Sequence, residues 1–222
     1  MLAAYLDSTN LKAEAGKNDI RILCEQAVSY EMAAVCINPY RLSLARKILS
    51  GSAVKLCTVI GFPLGADSTK IQAARGALEN GAHELDMVMN IGAFKDKDYK
   101  EVETEIKQIL RLKDEYQFVL KVIVETALLS LSELAAAAKL VSQSGADFIK
   151  TSTGFSSRGV SMEDIQIITA HKNSGLKIKA SGGVRTLEMA LQLINAGVDR
   201  IGSSNAVQLV EEYRQRGGLG GR

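Results

Sequence analysis

ELDMVMN, residues 84–90, decides how this chain is read. In an extended strand Leu85, Met87 and Met89 share one face, and Asp86, Val88 and Asn90 share the other. The apolar face suits packing against helices, which leaves a carboxylate pointing the opposite way. The pattern recurs on both sides. In FVLKVIVE, residues 118–125, Leu120, Val122 and Val124 take the outer face, with Lys121, Ile123 and Glu125 on the inner one. DFIKTSTGF, residues 147–155, sends Lys150 inward, KIKASGG, residues 177–183, sends Lys179 inward, and the first strand does the same with Asp7. Lys177 shares the face of Lys179 but stands at the strand start, where it is expected in solvent.

Outward from these segments, short β-rich runs alternate with longer stretches of helical spacing. Strands are expected near residues 3–7, 33–37, 55–60, 84–90, 118–125, 147–151, 177–180 and 200–202. Helices are expected near 19–30, 39–49, 69–80, 99–116, 131–144, 161–171, 187–196 and 206–215. Gly81, Gly145 and Gly197 follow the last apolar position of three of them, as helix stops do. Ser132, with Glu133 beside it, reads as a helix cap, and Pro39 as a helix opener. Eight β/α units without a low-complexity linker predict one α/β domain, a (β/α)₈ TIM barrel over residues 1–215. A doubly wound open sheet is the rival, but no Gly-rich fingerprint follows the first strand. The glycine-rich tail, 216–222, is expected to be disordered.

Composition removes other classes. The 222 residues carry 27 Lys+Arg against 25 Asp+Glu, and only 5% aromatics with no Trp. Neither a basic surface nor stacking platforms for nucleic acid follow from that. Three cysteines, Cys24, Cys36 and Cys57, sit in apolar runs, and the two histidines cannot make a three-histidine metal site. No signal-peptide pattern or 18-residue apolar span occurs, so a cytoplasmic, reduced protein without membrane contact is expected.

Asp7, Asp86, Lys121, Lys150 and Lys179 thus converge on one axis, and buried charges are costly unless paired. A paired ionic plug is the structural alternative, and Lys121 alone can neutralise Asp86. Strands six and seven are barrel neighbours, so Lys150 and Lys179 lie close. Crowding by a second ammonium destabilises the charged form of an amine. An amine so activated is a nucleophile for carbonyls through a Schiff base, with an aspartate moving protons and no metal required. SGGVRT, residues 181–186, and IGSSN, residues 201–205, follow the last two strands, where barrels bind phosphate through backbone N–H groups; ordinary tight turns are the alternative. From the residues alone a Schiff-base aldolase, a carboxylate-driven isomerase or synthase, and a non-catalytic sugar-phosphate binder all stay open.

ELDMVMNIG, LKVIVET, ADFIKTSTGF, KASGGVRT and RIGSS, with VCINPYR and TVIGFPLG before them, closely resemble the 2-deoxyribose-5-phosphate aldolase family from about Tyr5 to Asn205. The resemblance implies a (β/α)₈ barrel that uses no metal or other cofactor and reversibly splits 2-deoxyribose 5-phosphate into glyceraldehyde 3-phosphate and acetaldehyde. By motif, Lys150 is the Schiff-base nucleophile, Lys179 the second lysine and Asp86 the proton-transfer acid/base. Gly154, Gly182, Gly183, Val184, Arg185, Gly202 and Ser204 match the phosphate-contacting stretches. Asp7, Thr9, Cys36, Lys121, Thr151 and Ser203 complete the expected substrate site, Cys36 with a core-thiol alternative. A homo-oligomer, dimer or tetramer, working in deoxyribose phosphate catabolism is also implied. Ser8, Asn10 and Asn205 depart from the family pattern, so altered rim packing and one changed phosphate contact are expected.

Overall fold

The computed structural model describes residues 2–217. Its strands are β1 (Leu6–Asn10), β2 (Ala34–Ile37), β3 (Lys55–Ile60), β4 (Glu84–Val88), β5 (Val119–Ile123), β6 (Phe148–Lys150), β7 (Lys177–Ser181) and β8 (Arg200–Ser203). The helices are α1 (Lys17–Ser29), α2 (Leu42–Ile48), α3 (Lys70–Glu79), α4 (Ile91–Lys95), α5 (Tyr99–Leu110), α6 (Leu131–Ser144), α7 (Met162–His171), α8 (Leu187–Asn195) and α9 (Ala206–Gln215). The eight strands pair in chain order, all parallel, and β8 closes on β1. This is a (β/α)₈ TIM barrel. Among the described residues no helix is long and apolar enough to cross a membrane.

The alternation seen in the sequence sorts the barrel wall. Leu6, Leu85, Met87, Leu120, Val122, Ile149 and Ile178 are fully buried in one apolar layer between strands and helices. Each such side chain stabilises the fold by roughly 1.5–3 kcal/mol. Inside, Ala34, Cys36, Cys57 and Val59 form a separate small cluster with Leu11. Beside it, with Val88 and Ile123 also buried, the interior holds the charged side chains.

Several element edges differ from expectation. β1 starts at Leu6, after a 3₁₀ turn over Leu2–Tyr5. Alanine is a poor strand former, whereas the polar Ser8–Asn10 stay extended because β2 holds them and β8 holds Ser8. Residues 39–41 form a 3₁₀ turn ahead of α2, and α5 gives way to another at residues 111–114. The unforeseen α4 is capped by Asn90, whose side chain accepts from the Ala93 N–H at 3.1 Å and so ends the ELDMVMN strand early. The cap of α6 is Ser130, not Ser132: Ser130 and Glu133 exchange side-chain-to-backbone hydrogen bonds, which only a three-residue spacing permits. Gly81, Gly145 and Gly197 do end their helices, at φ of 92°, 88° and 89°. Residues 218–222, most of the glycine-rich tail, lie outside the described residues.

Candidate active site

The charges of six strands meet on the barrel axis, the five read from the sequence and Arg200 of β8. Asp86 on β4 is at their centre. Its Oδ2 accepts from Lys150 Nζ on β6 at 2.8 Å and from Lys179 Nζ on β7 at 2.6 Å, and its Oδ1 accepts from Lys121 Nζ on β5 at 2.9 Å. Lys179 also donates to Asp7 Oδ2 on β1 at 2.5 Å. Lys121 donates to Glu84 Oε2 at 2.5 Å. Arg200 at the start of β8 clasps Asp7 through Nε, at 2.7 Å, and a terminal guanidinium nitrogen, and reaches Glu84 at 3.2 Å. Register explains the meeting: Lys150 pairs with Lys179 across β6 and β7, and Asp86 with Lys121 across β4 and β5.

Burial alone raises Asp86, but the ammonium groups of Lys121, Lys150 and Lys179 reverse this and hold it well below the usual carboxylate range. Asp7 is likewise raised by burial and then drawn down to about 2 by Lys179, Arg200 and Lys121. Burial lowers Lys179, yet Asp7 and Asp86 overcome it and raise the ammonium's pKa above the ordinary lysine value. The two lysines therefore do not simply face each other, as the sequence alone suggested: one carboxylate oxygen stands between them.

Above this cluster, at the C-terminal ends of the strands, opens a cavity of about 400 Å³. Of the three axial lysines only Lys150 lines it; Lys121, Lys179 and Asp86 lie beneath. Its far wall is the two glycine loops, Gly182–Arg185 and Gly202–Ser204, with Thr9, Gly154 and Phe155 closing the sides. Gly182 and Gly183 have φ of 81° and 77°, conformations that side chains disfavour. A Cβ on Gly182 would come within 2.8 Å of the Gly159 backbone, so the turn admits only glycine.

The structure places the expected residues in two tiers. Lys150, Thr9, Gly154, Gly182, Gly183, Val184, Arg185, Gly202, Ser203 and Ser204 line the cavity. Asp7, Asp86, Lys121, Lys179, Cys36 and Thr151 do not. Thr151 instead braces β7, donating to the Ser181 carbonyl and accepting from the Ser181 N–H. Cys36 and Cys57 flank Asp86, at 3.8 and 3.1 Å. Sequence reading missed Glu84 and Arg200, both part of the ionic cluster; the signal was their parity, two residues before Asp86 and Gly202. As for metal ligands, Cys36, Cys57 and Asp86 bring ligand atoms within 4.8 Å of one another, as do Asp7, Cys57 and Glu84. The carboxylates in both groups already accept from lysine or arginine, which supply the positive charge a cation would bring.

Residues 2–206, nearly the whole barrel, match the profile of the DeoC/LacD family aldolases. The chain belongs to that family. The aldolase is 47% identical over 214 residues to a deoxyribose-phosphate aldolase of Thermococcus kodakarensis, an alignment covering 95% of this chain and 96% of the relative. Among solved structures, QR15, an aldolase, superposes with a TM-score of 0.93 at 41% identity, covering 98% of each chain. The tetrameric deoxyribose phosphate aldolase of Aeropyrum pernix gives 0.89 at 33%, covering 97% of this aldolase and 92% of its own chain.

Proposed function

We propose that this aldolase reversibly cleaves 2-deoxy-D-ribose 5-phosphate to D-glyceraldehyde 3-phosphate and acetaldehyde through a Schiff base on Lys150. The observation that carries the reading is that one amine alone borders the cavity: three lysines share the axis, all buried, and of these only Lys150 lines it. Among the described residues the acidic partners of Lys121, Lys150, Lys179 and Arg200 are Asp7, Glu84 and Asp86, so releasing one proton leaves the buried cluster neutral. A net buried charge is what a protein interior penalises. Lys150 is the group placed to lose that proton, through Asp86 Oδ2.

The free amine adds to the C1 aldehyde, and loss of water gives the iminium. Removing the proton of the C3 hydroxyl breaks the C2–C3 bond. Its electron pair moves to C2, the iminium becomes an enamine, and glyceraldehyde 3-phosphate leaves. Protonation at C2 and hydrolysis then free acetaldehyde and restore the amine. Asp86 moves protons at the Lys150 nitrogen and the carbinolamine oxygen, with Lys179 relaying behind it. The iminium is the electron sink, so no step is routed through a metal. The phosphate sits against the N–H groups of the two glycine loops, with Ser203 and Ser204 beside them.

The test is acetaldehyde with borohydride, followed by peptide mass mapping. A reduced two-carbon adduct on Lys150 is expected; an unmodified Lys150 peptide rejects the mechanism in favour of a carboxylate-driven isomerase or a mere binder. We further place the protein in the cytoplasm, in deoxyribose phosphate catabolism, as a homo-oligomer with no nucleic-acid or membrane partner. The tetrameric Aeropyrum pernix relative and the exposed Tyr40 and Leu64 support self-association. Light scattering that finds a monomer overturns that part.

A further inference from the structure

Glu125 has no part in the chemistry above, yet its carboxylate is buried and its backbone is held in an uncommon conformation. It follows β5 in the left-handed region, at φ 54°, and is 3% exposed. Non-glycine residues keep that conformation only where their surroundings enforce it, and such strain gathers at functional sites. Here the backbone on both sides is tied to the segment carrying Lys150: the Val124 N–H donates to the Lys150 carbonyl at 3.0 Å, and the Thr126 N–H to the Thr151 carbonyl at 2.8 Å. The carboxylate is thereby turned onto the loop after β6. Its Oε2 accepts from the Thr153 N–H at 3.1 Å and from the Thr153 hydroxyl. Thr153 Oγ1 in turn accepts from the Phe155 N–H at 3.0 Å. Oε1 is buried with no hydrogen-bond partner among the described residues. Leaving such an atom unpaired is costly, so something other than local stability explains it.

Thr153, Gly154 and Phe155 line the cavity, and the same loop then packs backbone to backbone on the first glycine turn. The Val160 N–H reaches the carbonyls of Ser181 and Gly182, each at 3.2 Å, and Gly159 stands where a Gly182 side chain would be. One carboxylate therefore fixes a wall that leads from Lys150 to the expected phosphate site.

We propose that Glu125 is a positioning residue. By holding Thr153 it sets the shape of the Gly154–Gly182 wall, and with it affinity for the phosphate end of the substrate, without entering the amine chemistry. The inference rests on the substrate reading given above. Three measurements on the intact protein test it: the KM for 2-deoxyribose 5-phosphate, calorimetric binding of inorganic phosphate, and borohydride trapping of acetaldehyde on Lys150. Glu125→Ala is expected to raise KM and weaken phosphate binding by roughly 10- to 100-fold. Trapping of the two-carbon aldehyde, which does not reach the wall, stays within about threefold of wild type on the same principle. Glu125→Gln keeps an acceptor for Thr153 and recovers most of the affinity. Thr153→Val, a milder change that does not disturb the left-handed residue, weakens phosphate binding in the same direction. Unchanged KM and phosphate affinity in Glu125→Ala overturn the proposal. So does a loss of trapping parallel to the loss of affinity, or a Gln variant no better than Ala. If the wild type traps no aldehyde, the aldolase reading has failed, and the phosphate arm still judges Glu125 by itself.

Discussion

The floor of the barrel and its mouth use the same side chain to opposite ends. On the floor, Lys121 and Lys179 each donate to two carboxylates and are fully buried. At the mouth, Lys150 has one carboxylate oxygen, shared with Lys179, and a cavity in front of it. On the mechanism proposed above, the number of acidic partners, not the residue type, is what would separate a structural ammonium from a reactive amine. Asp86 belongs to both regions, since it receives the floor lysines and the mouth lysine at once.

The largest effect that can break this contrast is at the mouth. Lys150→Ala removes the amine but only one contact of Asp86, which retains Lys121 and Lys179. Activity is expected to vanish, while circular dichroism and the melting transition stay close to wild type. Residual turnover in a rigorously purified variant breaks the assignment. Asp86→Asn strikes both regions. Turnover should fall by about 10²–10⁴-fold through loss of the acid/base. Stability should also fall, by about 3–5 kcal/mol, because buried lysines lose their common partner. Denaturant melts beside the kinetics separate the two losses; a variant impaired in only one shows that Asp86 serves one region. Lys179→Leu gives a smaller and more specific change. With that cation gone, Asp86 is left more fully to Lys150 and stabilises its ammonium, so the alkaline shoulder of the activity profile should move upward. An unmoved profile denies Lys179 any part in the amine's reactivity.

Alternation alone made the outer layer legible, since Leu85, Met87, Leu120 and Val122 pack outward as their parity requires. It also made five inward charges legible. It failed at Glu84 and Arg200, which sit on the inward parity but at strand starts, where a charge reads as solvated. Lys177, also at a strand start, is in fact exposed, whereas Glu84 is 4% exposed. The difference is stagger. Glu84 pairs with Cys57 on one side and Val119 on the other, inside the ladder, while Lys177 pairs only with Phe148. Which strand starts are covered depends on the shear of the closed barrel, and shear is a property of all eight strands together. The left-handed Glu125 was hidden for a similar reason: its conformation is imposed by hydrogen bonds to the loop beyond β6.

The floor can be tested without touching the mouth, through acid stability. Asp7 is held at about 2 against an ordinary 3.8 by Lys179, Arg200 and Lys121. A carboxyl lowered on folding stabilises the native state above its unfolded pKa and loses that contribution as pH falls through the native value. The contribution of this one group is about 2 kcal/mol at neutral pH. Denaturant melts should therefore hold their midpoint down to about pH 4 and lose it progressively toward pH 2. Asp7→Asn should begin from a lower midpoint, since Lys179 and Arg200 lose their shared partner. Its decline across that window should be the shallower of the two, because one titrating group is missing. Parallel curves for the two proteins would mean that the acid transition belongs to other carboxylates, and that the floor does not report on pH in the way its ion pairs require.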